Sequence, residues 1–275
     1  MHSILLVEDD RAALDGMSQL LQLAGFSVAT AKDGVAALAR LKDQSFDVML
    51  LDIWLPKMTG LELLAQLDDL PHQPKVIVMT GDDSQETLLQ SLREHAYQFV
   101  RKPIQPQKLM DLIRRTLAAP SDLPPIVVLS ASATWIEVLV PCARDVADRI
   151  QSYIRQLEID LPREVRDTVG LVFRELLLDA MEWNGQLDPN CRVRIAYLRA
   201  ERMLMYRISD AGQGSSASVP ANSVTGRQAE AGTGTPAHPQ RERRLRPGQL
   251  LALAQADELL FNEARNEVVV VKYLD

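Results

Sequence analysis

The chain has 275 residues, with 30 Lys and Arg against 37 Asp and Glu, a formal net charge of -7 and 47% hydrophobic residues. This length suits about two domains of ordinary size, and the composition is that of globular proteins, which excludes a wholly disordered or collagen-like chain. Because phosphate binding needs a basic face, the acidic balance argues against nucleic acid as a direct partner.

The two cysteines, Cys142 and Cys191, could form at most one disulfide bridge and match no paired metal-ligand spacing. The N-terminus lacks the basic region and cleavage site of a secretory signal, and no uninterrupted apolar stretch is long enough to cross a bilayer. We therefore expect a cytoplasmic protein with reduced thiols that has no membrane partner.

Residues 1–118 alternate short apolar runs with amphipathic segments. The runs lie at 4–7, 26–30, 47–52, 75–80 and 97–100, and the segments at 11–23, 34–42, 60–67, 85–95 and 105–117. Runs of this length suit strands, and the apolar spacing of the segments suits helices. The pattern predicts an α/β fold, a doubly wound five-stranded parallel sheet with helices on both faces.

Polar residues follow these strands at the carboxyl edge of the predicted sheet, where such sheets bind ligands. The first strand leads into Glu8 and Asp9, the third ends at Asp52, the fourth ends at Thr80, and Lys102 follows the fifth. Crowded carboxylates repel one another unless a divalent cation such as Mg²⁺ lies among them. A lysine and a hydroxyl opposite them suit a phosphate. The pattern predicts an aspartate that accepts phosphate.

Four motifs in this half resemble those of receiver domains of two-component response regulators. They are VEDD at 7–10, LLDIWLPKMTG at 50–60, MTGDD at 79–83 and FVRKP at 99–103. The resemblance implies that Asp52 is the phosphoacceptor. It also implies that Mg²⁺ is bound by the acidic pair Glu8 and Asp9, by Asp52, and by the backbone carbonyl of Trp54.

The same resemblance implies that Thr80 and Lys102 contact the phosphate and that the peptide bond before Pro103 is cis. It also implies that Phe99 is an aromatic switch that changes rotamer on phosphorylation. It implies a sensor histidine kinase or a phosphotransfer protein as the phosphodonor. The charged residues could instead form a structural ion network in a domain that is never phosphorylated. The completeness of the set favours phosphorylation.

Three prolines in the segment 119–125 predict a semi-rigid linker, since proline cannot continue a helix. We expect a receiver domain at 1–118, this linker at 119–125 and an output domain at 126–275. The pattern in the output domain predicts strands at 133–140, 192–198, 203–209, 258–262 and 267–274, and helices at 143–157, 162–183 and 247–256. Residues 211–240 lack Leu, Ile, Met and aromatic residues, which predicts a mobile lid at about 211–246.

A second group of candidate site residues lies around this lid. Asp210 follows a predicted strand and is followed by Gly212 and Gly214, where backbone can approach a ligand closely. Glu175 and Asp179 lie four residues apart on the long helix, so they share one face and could line the same pocket.

These residues resemble the GHKL ATP-binding domain of anti-sigma-factor serine kinases, histidine kinases and gyrase-type ATPases. The resemblance implies an α/β sandwich of the histidine-kinase-like ATPase type, with a catalytic or water-orienting carboxylate at Glu175. It also implies Mg²⁺ binding at Asp179 and an adenine-reading carboxylate at Asp210. The sequence departs from the family in having Asp179 where Asn is usual and Gly248 alone where a second glycine pair is usual.

The expected function is therefore that of a response regulator whose receiver controls an ATP-binding, Mg²⁺-dependent output. That output would act by partner switching, as a protein-serine kinase directed at a sigma factor or an anti-sigma antagonist protein. The alternative is a nucleotide-incompetent module that sequesters a partner without catalysis. A histidine kinase is disfavoured because residues 96–237 contain no histidine. A homodimer is compatible with this function.

Overall fold

The computed structural model describes residues 1–82, 84–120, 123–132, 134–210 and 246–274. In the N-terminal half of this part of the chain, strands alternate with helices. They are β1 (Ser3–Val7), α1 (Arg11–Leu23), β2 (Ser27–Ala31), α2 (Gly34–Asp43), β3 (Val48–Asp52), α3 (Gly60–Leu64), β4 (Lys75–Thr80), α4 (Gln85–Arg93), β5 (Gln98–Arg101) and α5 (Pro106–Ala118). The strands form a parallel sheet in the order β2-β1-β3-β4-β5, which confirms the predicted doubly wound sheet.

The apolar runs become central strands because both faces of this sheet are covered. The last four residues of β1 and the first four of β3 are fully buried. Leu5 and Leu6 belong to different apolar clusters, as expected for neighbouring residues that point to opposite faces of a strand. Side-chain caps fix where two helices begin, because the Asp10 and Asp33 carboxylates accept backbone N–H groups in the first turns of α1 and α2.

Two helices are shorter than their apolar spacing predicts. The predicted helix at 60–67 ends at Leu64 and is followed by a 3-10 turn at Leu67–Asp69. The helix predicted to reach residue 95 ends at Arg93, and His95 adopts a left-handed conformation with a φ of 58°. A left-handed residue at this place redirects the chain out of the helix.

The C-terminal half contains a separate antiparallel sheet. Its elements are β6 (Val127–Ala131), β7 (Trp135–Pro141), α6 (Arg144–Leu157), α7 (Arg163–Asp179), β8 (Arg192–Ala200), β9 (Met203–Asp210), α8 (Pro247–Gln255), β10 (Glu258–Phe261) and β11 (Glu267–Tyr273). The strand order is β10-β11-β9-β8-β7-β6. Buried side chains of β7, β8 and β9 share an apolar cluster with those of α6 and α7. Among the helices of the described ranges, none is both long and apolar enough to cross a membrane.

Two features of this half differ from the sequence pattern. The pattern predicts no strand at Val127–Ala131, because these residues directly follow prolines and do not alternate between apolar and polar side chains; β6 forms there and pairs with β7. The predicted helix at 162–183 ends as an α-helix at Asp179 and continues as a π-helical turn at Ala180–Asn184. Of the predicted lid, only Arg246 lies within the described residues, and Gly212 and Gly214 lie outside them.

The two halves pack directly against each other through α4 and β5 of the first and β6, β7 and α6 of the second. Buried leucines of α4 meet apolar side chains of the second half. The leucines are Leu88, Leu89 and Leu92, and their partners include Ile136, Val138, Ile150, Tyr153 and Ile154. One apolar cluster runs across both halves, so the packing of the core does not mark where one domain ends and the next begins. The domain bounds at 118 and 126 therefore stay predictions.

Polar contacts border this apolar interface. The Tyr153 hydroxyl donates to the Ala96 carbonyl at 2.9 Å, and Arg149 Nε donates to the Tyr97 carbonyl at 3.1 Å. The Arg149 guanidinium also lies 4.0 Å from the centre of the Tyr97 ring, a cation–π geometry. The turn between α4 and β5 is thereby bound to α6 through both backbone and side-chain groups.

One carboxyl group in the second half is fully buried. Glu158, at the end of α6, has no exposed surface and accepts a hydrogen bond from the Tyr206 hydroxyl. Its Oε2 atom has no hydrogen-bond partner among the described residues. Burial raises the pKa of Glu158 from 4.5 to about 7, although Tyr206, Arg199, Arg155 and Arg166 act in the opposite direction.

Replacement of this group by Glu158→Gln should remove a pH dependence of stability. A carboxyl whose pKa is raised in the folded state stabilises the fold in its protonated form, so stability falls as the pH rises from 4.5 towards about 7. We expect wild type to lose about 3 kcal/mol of unfolding free energy over this range and the variant to lose little of it. Urea unfolding at several pH values measures this, with the exposed Glu164→Gln as control; equal slopes in wild type and E158Q would contradict the assignment.

Candidate functional site

Three carboxylates meet at the carboxyl edge of the parallel sheet. Glu8 and Asp9 follow β1, and Asp52 ends β3. One oxygen of each lies within 4.8 Å of an oxygen of the others; Glu8 and Asp52 are buried, whereas Asp9 is exposed. Carboxylate oxygens at this separation suit a hard divalent cation, and the exposed side of the cluster gives access to it. The residues present therefore fit Mg²⁺.

Lys102 supplies positive charge to this cluster. Its Nζ lies 2.5 Å from Asp52 Oδ2 and 2.6 Å from Glu8 Oε2. Burial opposes the charge on Lys102, but the hydrogen bonds to Asp52 and Glu8 outweigh burial and raise its pKa. Burial likewise raises the pKa of Glu8, against the effect of Lys102. The peptide bond between Lys102 and Pro103 is cis, as the sequence resemblance implies.

The loop after β3 folds back over Asp52. The Trp54 N–H donates to Asp52 Oδ1 at 3.1 Å, and Trp54 itself is 63% exposed. At Gly60, a Cβ atom would lie 2.2 Å from the Asp52 carbonyl oxygen, so only glycine fits there. Lys57, which has a left-handed φ of 66°, donates to Asp33 at 2.6 Å and fixes the other end of the loop.

Thr80 and Phe99 occupy the neighbouring strands. Thr80 is fully buried at the end of β4, and its Oγ1 accepts the Asp82 N–H at 3.0 Å. Phe99, in β5, is 3% exposed and belongs to the apolar cluster that continues into the second half. Tyr97 and Arg101, which lie two residues before and after Phe99, both contact α6. The Tyr97 carbonyl accepts from Arg149, and Arg101 donates to the Gln156 carbonyl at 3.3 Å.

The second candidate site brings Asp179 and Asp210 to one small cavity. Both line it together with Ala180, Arg246 and Gln249. Burial raises the pKa of Asp210 to about 6, against the charge of Arg246, and also raises that of Asp179. The Asp179 Oδ2 atom has no hydrogen-bond partner in the described ranges, so it could accept from a ligand or contact a cation.

Glu175 does not line this cavity with Asp179, contrary to the expectation from their spacing. Its carboxylate accepts from Arg174 Nη1 at 3.1 Å, and Arg174 also donates to Asp148 at 2.9 Å. Gly248, near the start of α8, packs against α7. A Cβ atom at Gly248 would lie 2.7 Å from Asp179 Oδ2 and 2.8 Å from the Glu175 carbonyl oxygen.

The sequence pattern does not predict two contacts of this site. The Asn184 amide donates to the Asp210 carboxylate, and the Arg246 guanidinium lies 5.4 Å from the centre of the Trp183 ring. Asn184 and Trp183 lie in the π-helical turn, which has no sequence signal of its own, because helical spacing assumes 3.6 residues per turn.

Comparison with known proteins adds the family of the first half. Residues 4–114 match the response regulator receiver domain. The transcriptional regulatory protein CpxR of Klebsiella pneumoniae is 38% identical over 117 residues, which are 42% of this chain and 50% of CpxR. The response regulator MprA of Mycobacterium leprae is 34% identical over 150 residues, 52% of this chain and 63% of MprA. The chain thus matches between one half and two thirds of the length of these relatives.

Among solved structures, a CheY-like response regulator receiver domain protein from Methanospirillum hungatei JF-1 is 36% identical. The match covers 42% of this chain and 94% of that chain, with a TM-score of 0.41. The receiver domain from Clostridium thermocellum is 26% identical over the same shares of each chain, also with a TM-score of 0.41.

Proposed function

We propose, from the premise that residues 4–114 form a two-component response regulator receiver domain, that phosphorylation of Asp52 controls the second half of this protein. The observation that carries the proposal is the arrangement of Asp52 with Glu8, Asp9 and Lys102 at one edge of the sheet. A receiver domain implies a sensor kinase or another phosphodonor as partner.

The residues at this edge suit a phosphoryl transfer to Asp52. A carboxylate oxygen of Asp52 would attack the phosphorus of the donor, and the bond from phosphorus to the donor's leaving atom, a histidine nitrogen or an acyl oxygen, would break as the donor departs. Lys102, already 2.5 Å from Asp52, would follow the negative charge onto the transferred phosphoryl group. Because the Thr80 hydroxyl accepts from Asp82, its hydrogen is available to donate to a phosphoryl oxygen. When bound by Glu8, Asp9, Asp52 and the Trp54 carbonyl, Mg²⁺ would neutralise the negative charge of that group.

Asp52→Asn should abolish labelling by a small phosphodonor such as acetyl phosphate. Wild type with Mg²⁺ should acquire an acyl phosphate that is stable in acid and labile in base, and removal of Mg²⁺ should abolish the label. Asp111→Asn, an exposed aspartate on α5, serves as the matched control and should label like wild type. Mass spectrometry of the intact protein measures the label, and equal labelling of wild type and D52N would show that another residue is the acceptor.

For the output, we infer an ATP-binding domain that acts by partner switching, as an anti-sigma-factor-like protein-serine kinase. The support is the convergence of Asp179 and Asp210 on one cavity, with Arg246 beside both. Asp210 would read the adenine amine, Asp179 would hold Mg²⁺ at the phosphates, and Glu175 would orient the acceptor hydroxyl of a sigma factor antagonist. Gly248 lies against Asp179, where a nucleotide phosphate could meet the backbone of α8.

Two observations favour the alternative, a nucleotide-incompetent module that sequesters its partner. The cavity lined by the described residues encloses only about 20 Å³, which is far less than a nucleotide needs. In addition, Glu175 is held by Arg174 outside the cavity. ATP could therefore bind only if α8 and Arg246 moved away from Asp179.

Nucleotide binding and Asp210→Asn distinguish these two functions. If the output binds ATP with Mg²⁺, loss of the charge at Asp210 should weaken binding by roughly 1–3 kcal/mol, or about 5- to 150-fold. Isothermal titration of the full chain measures the affinity, with the exposed Asp167→Asn on α7 as control. Equal affinity of D210N and wild type would contradict the adenine contact, and absence of binding to wild type would support the sequestering module.

The interface gives phosphorylation a direct path to the output. Phe99 lies between Tyr97 and Arg101, which both contact α6, and it shares an apolar cluster with Leu92 of α4. Alternate residues of an extended strand point to the same face, so a rotamer change at Phe99 would disturb the side of β5 that meets the output. The switch would thus alter the stability of the docked arrangement.

Phe99→Ala should uncouple the two halves while Asp52 labelling stays intact. Phosphorylation, or a stable phosphate mimic on Asp52, should change partner or nucleotide affinity about 5- to 150-fold in wild type, the usual range of allosteric coupling. Val100→Ala is the matched control, because Val100 is equally buried but belongs to the apolar cluster on the other face of the sheet. Hydrogen exchange of α4 and α6 reports undocking independently of any ligand. Identical exchange with and without phosphate in wild type would mean that the halves are merely tethered.

A further inference from the structure

The two cysteines of the chain lie opposite each other where β7 ends and β8 begins. The strands pair antiparallel, with Pro141 opposite Arg192 as the last pair of the ladder. The next pair is Cys142 and Cys191, and the Cys142 N–H donates to the Cys191 carbonyl at 3.0 Å. Directly opposed residues of such a ladder have Cα atoms about 4.5–5.5 Å apart, which lies within the span that a disulfide bridges.

The two side chains also share one face of the sheet. Opposed residues in an antiparallel pair point to the same side. Cys142 is 1% exposed within the apolar cluster, and Cys191, which is partly buried, packs against that cluster. Burial raises the pKa of the Cys142 thiol to about 11, and the charge of Cys191 acts in the same direction. The more accessible Cys191 is therefore the thiol that an oxidant meets first.

A short segment connects this thiol pair to Asp210. The Cys142 sulfur lies so close to Gly185 that a Cβ atom there would be 2.3 Å from it. Gly185 follows Asn184, whose amide donates to the Asp210 carboxylate. The segment then returns to Cys191, whose N–H donates to the Asp188 carbonyl at 3.0 Å. A change in the position of the Cys142 sulfur is thus transmitted to the neighbour of Asn184.

We propose that Cys142 and Cys191 are a modification site, a dithiol that a peroxide converts to an intramolecular disulfide, which constrains the segment 184–191. The Cys191 thiolate attacks hydrogen peroxide, the O–O bond breaks, and a sulfenic acid forms with release of hydroxide. The Cys142 sulfur then attacks the sulfenic sulfur, the S–O bond breaks, and water leaves as the S–S bond forms. In total, two thiols are oxidised and one peroxide is reduced to two water molecules.

The test exposes the reduced full-length chain to hydrogen peroxide and maps its peptides without reduction. We expect wild type to lose both thiols while remaining monomeric, to yield one cross-linked peptide containing Cys142 and Cys191, and to recover both thiols with dithiothreitol. Cys142→Ala should instead accumulate a sulfenic acid on Cys191 that dimedone traps. Retention of both thiols, or cross-linking between chains alone, would overturn the proposal.

Cys191→Ser is the variant that disturbs packing least, because this side chain is only partly buried. Its remaining Cys142 thiol is buried, so it should react about tenfold more slowly with peroxide than the wild-type pair, and equally rapid oxidation would overturn the order of attack. Hydrogen exchange within 184–191 should slow in oxidised wild type and stay unchanged in peroxide-treated C191S. Unchanged exchange in oxidised wild type would overturn the constraint.

An effect of the disulfide on ATP binding rests on the proposed function, whereas formation of the disulfide does not. Oxidised and reduced wild type should differ in ATP affinity if the output binds ATP, because Asn184 and Asp210 share a hydrogen bond. A chain that forms the bridge but binds no ATP in either state would contradict the proposed ATP-binding output and leave the modification site intact. A chain that binds ATP but forms no disulfide would contradict the modification site and leave the proposed ATP-binding output intact.

Discussion

The ammonium group of Lys102 lies between two buried carboxylates, those of Glu8 and Asp52. The arrangement of the carboxyl edge of the parallel sheet depends on this contact. The two ion pairs join residues 94 and 50 positions apart in the chain, so they hold the ends of three strands in one register. Removing a single charge from such a buried set leaves its partners unpaired, at a cost of about 3–5 kcal/mol. The same charges that would receive a phosphoryl group and a metal ion therefore also stabilise the edge of the sheet. A change of charge at Asp52 also affects Glu8, because both carboxylates share the one ammonium group of Lys102.

The second half is bound to the strand that ends next to this lysine. Tyr97, which directly precedes β5, and Arg101, the last residue of β5, both form hydrogen bonds with α6 of the second half. The leucines of α4 extend this contact into a continuous apolar cluster. Closely packed apolar surfaces do not deform gradually, so a change at this interface would affect the packing of the two halves as a whole. This geometry suits a switch in which a charge at one edge of the sheet biases the docking of a distant surface.

The second half has two partly buried carboxylates at one cavity, and one of them lacks a full set of hydrogen bonds among the described residues. Asp179 is partly buried and has an oxygen without a hydrogen-bond partner in the described part of the chain, and Asp210, which is also partly buried, lies beside Arg246. A partly buried carboxylate without full pairing costs free energy, which is most readily understood where a ligand completes the site. The small cavity shows that such a ligand would have to displace α8. Binding and a change of surface would then be the same event.

The sequence by itself determined the parallel sheet of the first half and the meeting of Glu8, Asp9, Asp52 and Lys102 at its edge. Apolar runs ending in Glu8, Asp52, Thr80 and Lys102 could be interpreted without coordinates, because the ends of parallel strands must meet at one edge. It also determined most strands and helices of the second half, since their apolar periodicity is strong. It could not determine β6, whose weak alternation follows two prolines, or the end of α7, where a π-helical turn breaks the helical spacing.

Only the tertiary structure decided which polar groups share a contact. The spacing of Glu175 and Asp179 placed them on one face, yet Arg174 holds the first outside the cavity that the second lines. Likewise, the docking of α4 on the second half and the opposition of Cys142 and Cys191 join residues far apart in the chain. The physical reason is that periodicity records the environment of one element, whereas pairings between elements depend on how strands and helices pack in three dimensions.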